Sequence, residues 1–129
     1  MEIGQTSSKI IPQLIDGRPV IKVRIELDAV FAQTEGQFPL LSDEETWASM
    51  ESRLATAIRN EVQSALNIAQ EELESDIFGF GRAVYIKYPR EWQVMKDYWD
   101  EIFLTLDVQV EVLGKIKRSS LAFRMVKTR

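Results

Sequence analysis

Between Ile21 and Phe31 the chain alternates: Ile21, Val23, Ile25, Leu27, Ala29 and Phe31 are apolar, and Lys22, Arg24, Glu26 and Asp28 stand between the first five of them. Successive side chains of a β-strand point to opposite faces, so this segment has one buried and one wetted face. Slipping the pairing by one residue would bury four charges, which makes the register firm. A second stretch has the same period, with Leu106, Val108, Val110, Val112, Gly114 and Ile116 set against Asp107, Gln109, Glu111, Lys115 and Lys117. Ser119-Ser120 then reads as a turn into a final strand carrying Leu121, Phe123 and Met125. Upstream, Ile10, Ile11, Leu14 and Ile15 suggest another strand. There Pro12 marks an edge or an irregularity, because proline donates no ladder hydrogen bond. Asp16-Gly17-Arg18-Pro19 between these apolar runs is a hairpin turn, since glycine accepts the positive φ that such turns require.

The middle of the chain has a different period. Ser42-Asp43-Glu44-Glu45 resembles a capping box, and Gln33 to Leu41, with Gly36 and Pro39, reads as the loop before it. Trp47, Met50, Leu54, Ile58, Val62, Ala65 and Ala69 follow at steps of three or four, the stripe of a long amphipathic helix lying on a sheet. After Asp76 come Gly79 and Gly81, which permit a sharp change of direction or a close backbone approach. Ala83 to Lys87 suggests a short helix. Pro89 fits the first turn of the next, whose stripe is Tyr88, Trp92, Met95, Trp99 and Ile102.

Two strands, a helical block and two more strands argue for a single α+β domain. The expected sheet is about four-stranded and largely antiparallel or mixed, with strands near 9–15, 20–32, 105–118 and 120–127. A long helix over about 43–73 and a second helical region over about 83–101 are expected to pack on one face. At 129 residues, 45% of them hydrophobic and 28% charged, the chain is long enough for one real core.

The same composition excludes several kinds of function. A net charge of -4 argues against a general nucleic-acid binder, which needs clustered lysine and arginine. The basic residues Lys115, Lys117, Arg118, Arg124, Lys127 and Arg129 near the end read first as a solvated strand face or tail. There is no cysteine and no histidine, so disulfides, thiolate nucleophiles and the commonest general base and metal ligand are absent together. No stretch reaches the roughly 20 apolar residues that a membrane-spanning helix needs.

Few motifs carry chemistry. Gly79-Phe80-Gly81-Arg82-Ala83-Val84 begins like a dinucleotide fingerprint, but Val84 takes the place of its small sixth residue and the segment follows a helix. The carboxylate pairs Glu44/Glu45, Glu71/Glu72 and Asp97/Glu101 could hold a hard cation or share acid and base roles. Each lies in a helix among basic residues, where charges ordinarily meet solvent. Asp76 either caps the amides of the following turn or pairs with Arg82 or Lys87. Phe78, Phe80, Trp92, Trp99 and Phe103, with Tyr85, Tyr88 and Tyr98 among them, must be buried or bind something. Helical spacing assigns Trp92, Met95 and Trp99 to the core. The turn from Asp76 to Arg82 and the corner from Tyr85 to Arg90 remain for contact, so Asp76, Arg82, Tyr85, Lys87 and Arg90 form the candidate interaction surface. No catalytic, metal or cofactor residue is expected.

Asp76-Ile77-Phe78-Gly79-Phe80-Gly81, Lys87-Tyr88-Pro89-Arg90-Glu91-Trp92, Trp99-Asp100-Glu101-Ile102-Phe103 and Lys117-Arg118-Ser119 together resemble the C-terminal domain of the spore-germination lipoproteins. These are the C subunits of nutrient germinant receptors in endospore-forming bacteria. Ser8-Lys9-Ile10, followed by Asp16-Gly17-Arg18-Pro19, is similar to that domain's entry. The resemblance covers about Ser8 to Leu121. It departs at Ile86, where the family tends to have a basic residue, and at Ser120, where it tends to have glycine. It implies a non-enzymatic C-terminal fragment of a longer lipoprotein, binding no nucleic acid and needing no cofactor. The full-length protein would sit on the outer face of the spore's inner membrane, held by a lipid anchor absent from this fragment. Its partners would be integral membrane subunits of the receptor, and its role receptor assembly or signalling. Aromatic residues beside two glycines and Asp76 leave an extracytoplasmic small-ligand (nutrient) binding domain as the alternative.

Overall fold

A computed structural model describes the backbone of residues 2–33 and 44–120, and the side chains of residues 4–30 and 44–117. In chain order, β1 spans Glu2–Ile15, β2 Arg18–Gln33 and α1 Glu44–Asn67. A π-helical segment, Ile68–Leu73, prolongs α1 and ends at Glu74, whose φ of 48° is left-handed. Then come α2 (Phe80–Lys87), α3 (Pro89–Met95), a 3-10 turn (Lys96–Tyr98), α4 (Trp99–Leu104) and β3 (Asp107–Ser120).

The three strands form one sheet in the order β1-β2-β3. Asp16 and Gly17 join β1 to β2 with φ values of 52° and 76°. Positive φ at both central residues is the type I′ geometry, whose twist matches that of an antiparallel hairpin. Arg24 pairs with Glu111 at 3.7 Å and Asp28 with Lys117 at 3.9 Å. Residue numbers rise together along the two strands, so β3 runs parallel to β2 and the sheet is mixed. Parallel neighbours need a crossover, and the helical block supplies it.

Three strands are present among the described residues, where about four were expected. The expected fourth, near 120–127, lies outside the described residues except for Ser120, which belongs to β3. The turn expected at Ser119-Ser120 is strand instead: β3 includes both serines. β1 begins at Glu2, well before residue 9, because the polar residues ahead of Ile10 pair as readily through their backbone. The second helical region covers Phe80–Leu104, wider than 83–101 and broken at Tyr88 and at Lys96–Tyr98. Ser42 and the loop expected over 33–41 lie outside the described residues, apart from Gln33 at the end of β2.

The chain divides into two compact units, one of Met1–Ser7, Ile25–Ile58 and Val112–Arg129, the other of Ser8–Arg24 and Arg59–Glu111. In the first, Leu27, Ala29 and Trp47 are buried. Helix α1 passes close over β3, and a Cβ built on Gly114 would lie 3.5 Å from Leu54 and 3.6 Å from the Glu51 carbonyl oxygen. The Ile116 amide donates to Glu51 Oε2 at 2.8 Å. The helix thereby satisfies a donor of an edge strand that would otherwise be free to pair with another chain.

Among the described residues the second unit holds more of the core: Val20, Ile21, Val23, Leu66, Ala69, Phe80, Val84, Met95, Trp99, Phe103 and Leu106 are buried. The inward stripe steps from the half-buried Val62 to the buried Leu66 on α1 and on to the buried Ala69 in the π-helical segment, whereas Ala65, expected inside, is exposed. From Gln70, in the π-helical segment, Nε2 donates to the carbonyl oxygens of Phe103 at 2.9 Å and Leu106 at 3.1 Å. The Phe103 carbonyl, at the end of α4, also accepts from the Leu106 amide at 3.3 Å, so Gln70 adds a second donor there and ties the π-helical segment to the end of α4.

Candidate interaction surface

Asp76 stands ahead of α2 and serves its N-terminus. Its Oδ1 accepts from the amides of Gly79 and Phe80, each at 3.0 Å. Its Oδ2 accepts from the Gly81 amide at 2.8 Å and from Trp99 Nε1 at 2.9 Å. The first amides of a helix lack acceptors in the helix itself, and a carboxylate there also complements the helix dipole. Of the two roles expected for Asp76, capping is the one observed. Its oxygens face amides and an indole, not Arg82 or Lys87. The same bonds show why the glycine pair is no phosphate cradle: the amides that would hold a phosphate already hold a carboxylate.

The two glycines have separate tasks. Gly79 takes a φ of 80°, a left-handed conformation that a side chain would strain. Gly81 is needed for space, since a Cβ there would come within 2.7 Å of Trp99 Nε1 and 3.0 Å of the Trp92 ring. Aromatic rings close around this point. Trp92 meets Trp99 edge-on at 5.3 Å between centroids, Phe78 stacks on Phe80 at 5.3 Å, and Phe80 lies 6.3 Å from Phe103. Such pairs add about 0.5–1.5 kcal/mol each beyond the area they bury. Trp99 and Met95 are buried, and Trp92 is half-buried.

The other side of α2 faces solvent. Arg82 is exposed, Tyr85 is 50% exposed with its ring 6.5 Å from that of Trp92, and Ile86 is 68% exposed. Arg82, Tyr85 and Ile86 occupy positions i, i+3 and i+4, which share one helix face. Lys87 is exposed as well, but its Nζ donates to the Pro12 carbonyl at 2.9 Å and lies 5.4 Å from the centre of the Tyr88 ring. One of its N–H groups therefore ties α2 to β1. Arg90 is exposed in the first turn of α3. Of the five expected contact residues, Arg82, Tyr85, Lys87 and Arg90 thus present atoms to solvent, and Asp76 turns its carboxylate inward. Ile86 was missed by the sequence reading; its phase on α2, one turn from Arg82, was the available signal.

A cleft of about 950 Å3 lies elsewhere in the same unit, between the β1–β2 turn and the end of α4. Asp16, Arg18, Thr105 and Asp107 supply its polar lining and Val20, Met95, Ile102 and Leu106 its apolar lining. Among the described residues no group of three or more acidic side chains could hold a metal ion. No described helix is long and apolar enough to cross a membrane.

Residues 1–120 match the family described as spore germination B3/GerAC like, C-terminal. The chain belongs to this family. It is 28% identical over 128 residues to spore germination protein KC of Bacillus subtilis (strain 168), covering 98% of this chain and 31% of that protein. It is 22% identical over 115 residues to spore germination protein B3 of the same organism, covering 89% of this chain and again 31% of the relative. The chain thus spans about a third of the length of these curated relatives. The crystal structure of the GerBC protein shares its fold, with a TM-score of 0.74 and 21% identity over 88% of this chain and 35% of that one. That likeness agrees with the α+β architecture of this GerAC-like domain.

Proposed function

We propose that this chain is a non-catalytic domain of a membrane-anchored lipoprotein subunit of a spore nutrient germinant receptor, contributing to receptor assembly or signalling during germination. The observation that carries the reading is the family match over residues 1–120, together with relatives named as spore germination proteins. The site chemistry agrees with it. The Asp76 carboxylate, with four hydrogen bonds, is taken up in holding α2, and the exposed side of that helix presents Arg82 with Tyr85 and Ile86, which suit contact better than reaction. In this reading the full-length subunit is held by lipid on the outer face of the spore's inner membrane. The integral membrane subunits of the receptor are its partners, and the surface formed by Arg82, Tyr85, Lys87 and Arg90 is a contact surface of the anchored subunit. Deleting the domain from the full-length protein is expected to abolish nutrient-triggered germination or to lower the level of the receptor subunits. A germination response equal to that of the intact strain would overturn the reading.

One observation favours a second reading, small-ligand binding, namely the cleft with Arg18, Asp16 and Asp107 set around an apolar floor. Opposed charges beside apolar surface suit a small zwitterion or a polyol. Isothermal titration with amino acids and sugars decides it: heat that Arg18→Ala removes supports ligand binding, and its absence across the series eliminates it.

A further inference from the structure

From Ile77 to Arg90 the chain carries Arg82, Lys87 and Arg90 and no acidic side chain, although the protein as a whole has a net charge of -4. The apolar side chains exposed in the same segment are large: Ile77 is 60% exposed, Tyr85 50% and Ile86 68%. An isoleucine more than half exposed is ordinary when it stands alone; set one turn from an arginine and beside a tyrosine on a single helix face, it makes an amphipathic unit. The nearest carboxylate before this segment, Asp76, is turned onto the amides of Gly79, Phe80 and Gly81 and the Trp99 indole. The nearest after it, Glu91, is exposed at the start of α3.

We infer that the outer face of α2 rests on an anionic lipid surface, with Arg82 and, at the start of α3, Arg90 at the headgroup phosphates and Ile86 and Tyr85 at the level of the acyl boundary. Charge complementarity is the first support: juxtamembrane cations each favour an anionic leaflet, and this is the stretch of the helical block from which acids are missing. Side-chain chemistry is the second, because arginine and tyrosine carry an apolar stem or ring with a polar end, the form that suits a membrane interface. Shape is the third. Peptide partners are ordinarily taken into grooves or onto sheet edges, whereas this is the outward side of a helix, and the two clefts described lie at the β1–β2 turn and along Gln5–Ser7 with Glu26–Asp28. Two arginines and one inserted isoleucine bind weakly, so at physiological ionic strength the contact orients a domain already tethered, and the free chain binds only where little salt screens the charges. For that tether the inference rests on the membrane-anchored reading above.

Sedimentation of the 129-residue chain with vesicles of phosphatidylcholine containing an equal share of phosphatidylglycerol, against pure phosphatidylcholine, tests it at low ionic strength. Binding is expected on the anionic vesicles alone and is expected to be reversed by salt. Arg82→Ser and Arg90→Ser should each lower the partition coefficient about fivefold. Ile86→Ser should lower it without changing the salt dependence. All three residues are exposed, so near-native tryptophan fluorescence is expected of each variant. Equal binding to the two vesicles, no binding to either, or anionic binding that survives the three substitutions overturns the proposal. Should vesicle binding fail while R82S and R90S in the full-length subunit impair germination, the face meets an acidic protein partner, and the lipid proposal falls while the receptor reading stands.

Discussion

On its inner side α2 buries Phe80, Gly81 and Val84 and receives the Asp76 carboxylate at its first amides; on its outer side Arg82, Tyr85 and Ile86 reach solvent. Eight residues of one helix therefore answer to two sets of constraints. Inside, the space is taken: Gly81 has no room for a methyl group, and the carboxylate accepts four hydrogen bonds. Outside, only one side chain of the contact set, Lys87, is held by a hydrogen bond, and nothing about folding demands that Arg82 or Ile86 be what they are. A side that folding leaves free can be shaped by what it touches. Substitutions that affect stability on one side and binding on the other would bear out this division, and equal behaviour of the two would destroy it.

The largest effect is expected at Trp99. Replacing it with alanine empties a buried site against Trp92 and Gly81 and leaves Asp76 Oδ2 short of a donor. Aromatic truncations of this kind cost about 3–5 kcal/mol, which should lower the urea midpoint greatly or leave the domain unfolded. A loss below about 1 kcal/mol, the level of an ordinary point mutation, would mean that the inner side is not the constrained one.

Asp76→Asn should come next. The amide can keep one oxygen on Gly79 and Phe80, but it then points an NH2 at the Gly81 amide and Trp99 Nε1, donor against donor. Two buried hydrogen bonds to a charged acceptor are lost, so about 2–4 kcal/mol is expected. Trp99 fluorescence followed through a denaturant titration reads both the stability and the environment of the indole. If D76N is as stable as the parent, the carboxylate is not what holds α2 in place.

How far these relations were legible in the sequence depends on their span. The hairpin was readable because its information is local: an apolar run before Asp16-Gly17 and a period of two after it. Capping by Asp76 was readable for the same reason, as its acceptors meet amides three to five residues on. Its bond to Trp99 spans 23 residues and that of Gln70 to Leu106 spans 36; neither periodicity nor turn chemistry reports contacts at that range. The parallel direction of β3 was hidden because an alternating pattern reads the same from either end. Ser119-Ser120 misled because small polar residues favour turns only where the strand has a reason to stop. Helical phase put Trp99 and Met95 inside correctly, yet it could not show that the helix breaks at Lys96–Tyr98. For the contact set, phase gave the exposure of Arg82 and Arg90, and Asp76 was grouped with them only because charge alone does not say which way a carboxylate turns.

The smallest effect on stability belongs to the outer side. Arg82 and Arg90 are exposed, and no described hydrogen bond or ion pair engages either side chain. Serine at both positions should therefore leave the unfolding free energy within about 0.5 kcal/mol of the parent, the usual bound for surface changes away from special features. The same double substitution removes two of the three cations between Ile77 and Arg90, so any partner that reads this charge must respond to it. A stable double variant whose binding is lost isolates recognition from folding. A double variant destabilised as much as Asp76→Asn would mean that the arginine stems pack on the aromatic cluster beneath them, and α2 would then have one constrained surface instead of two.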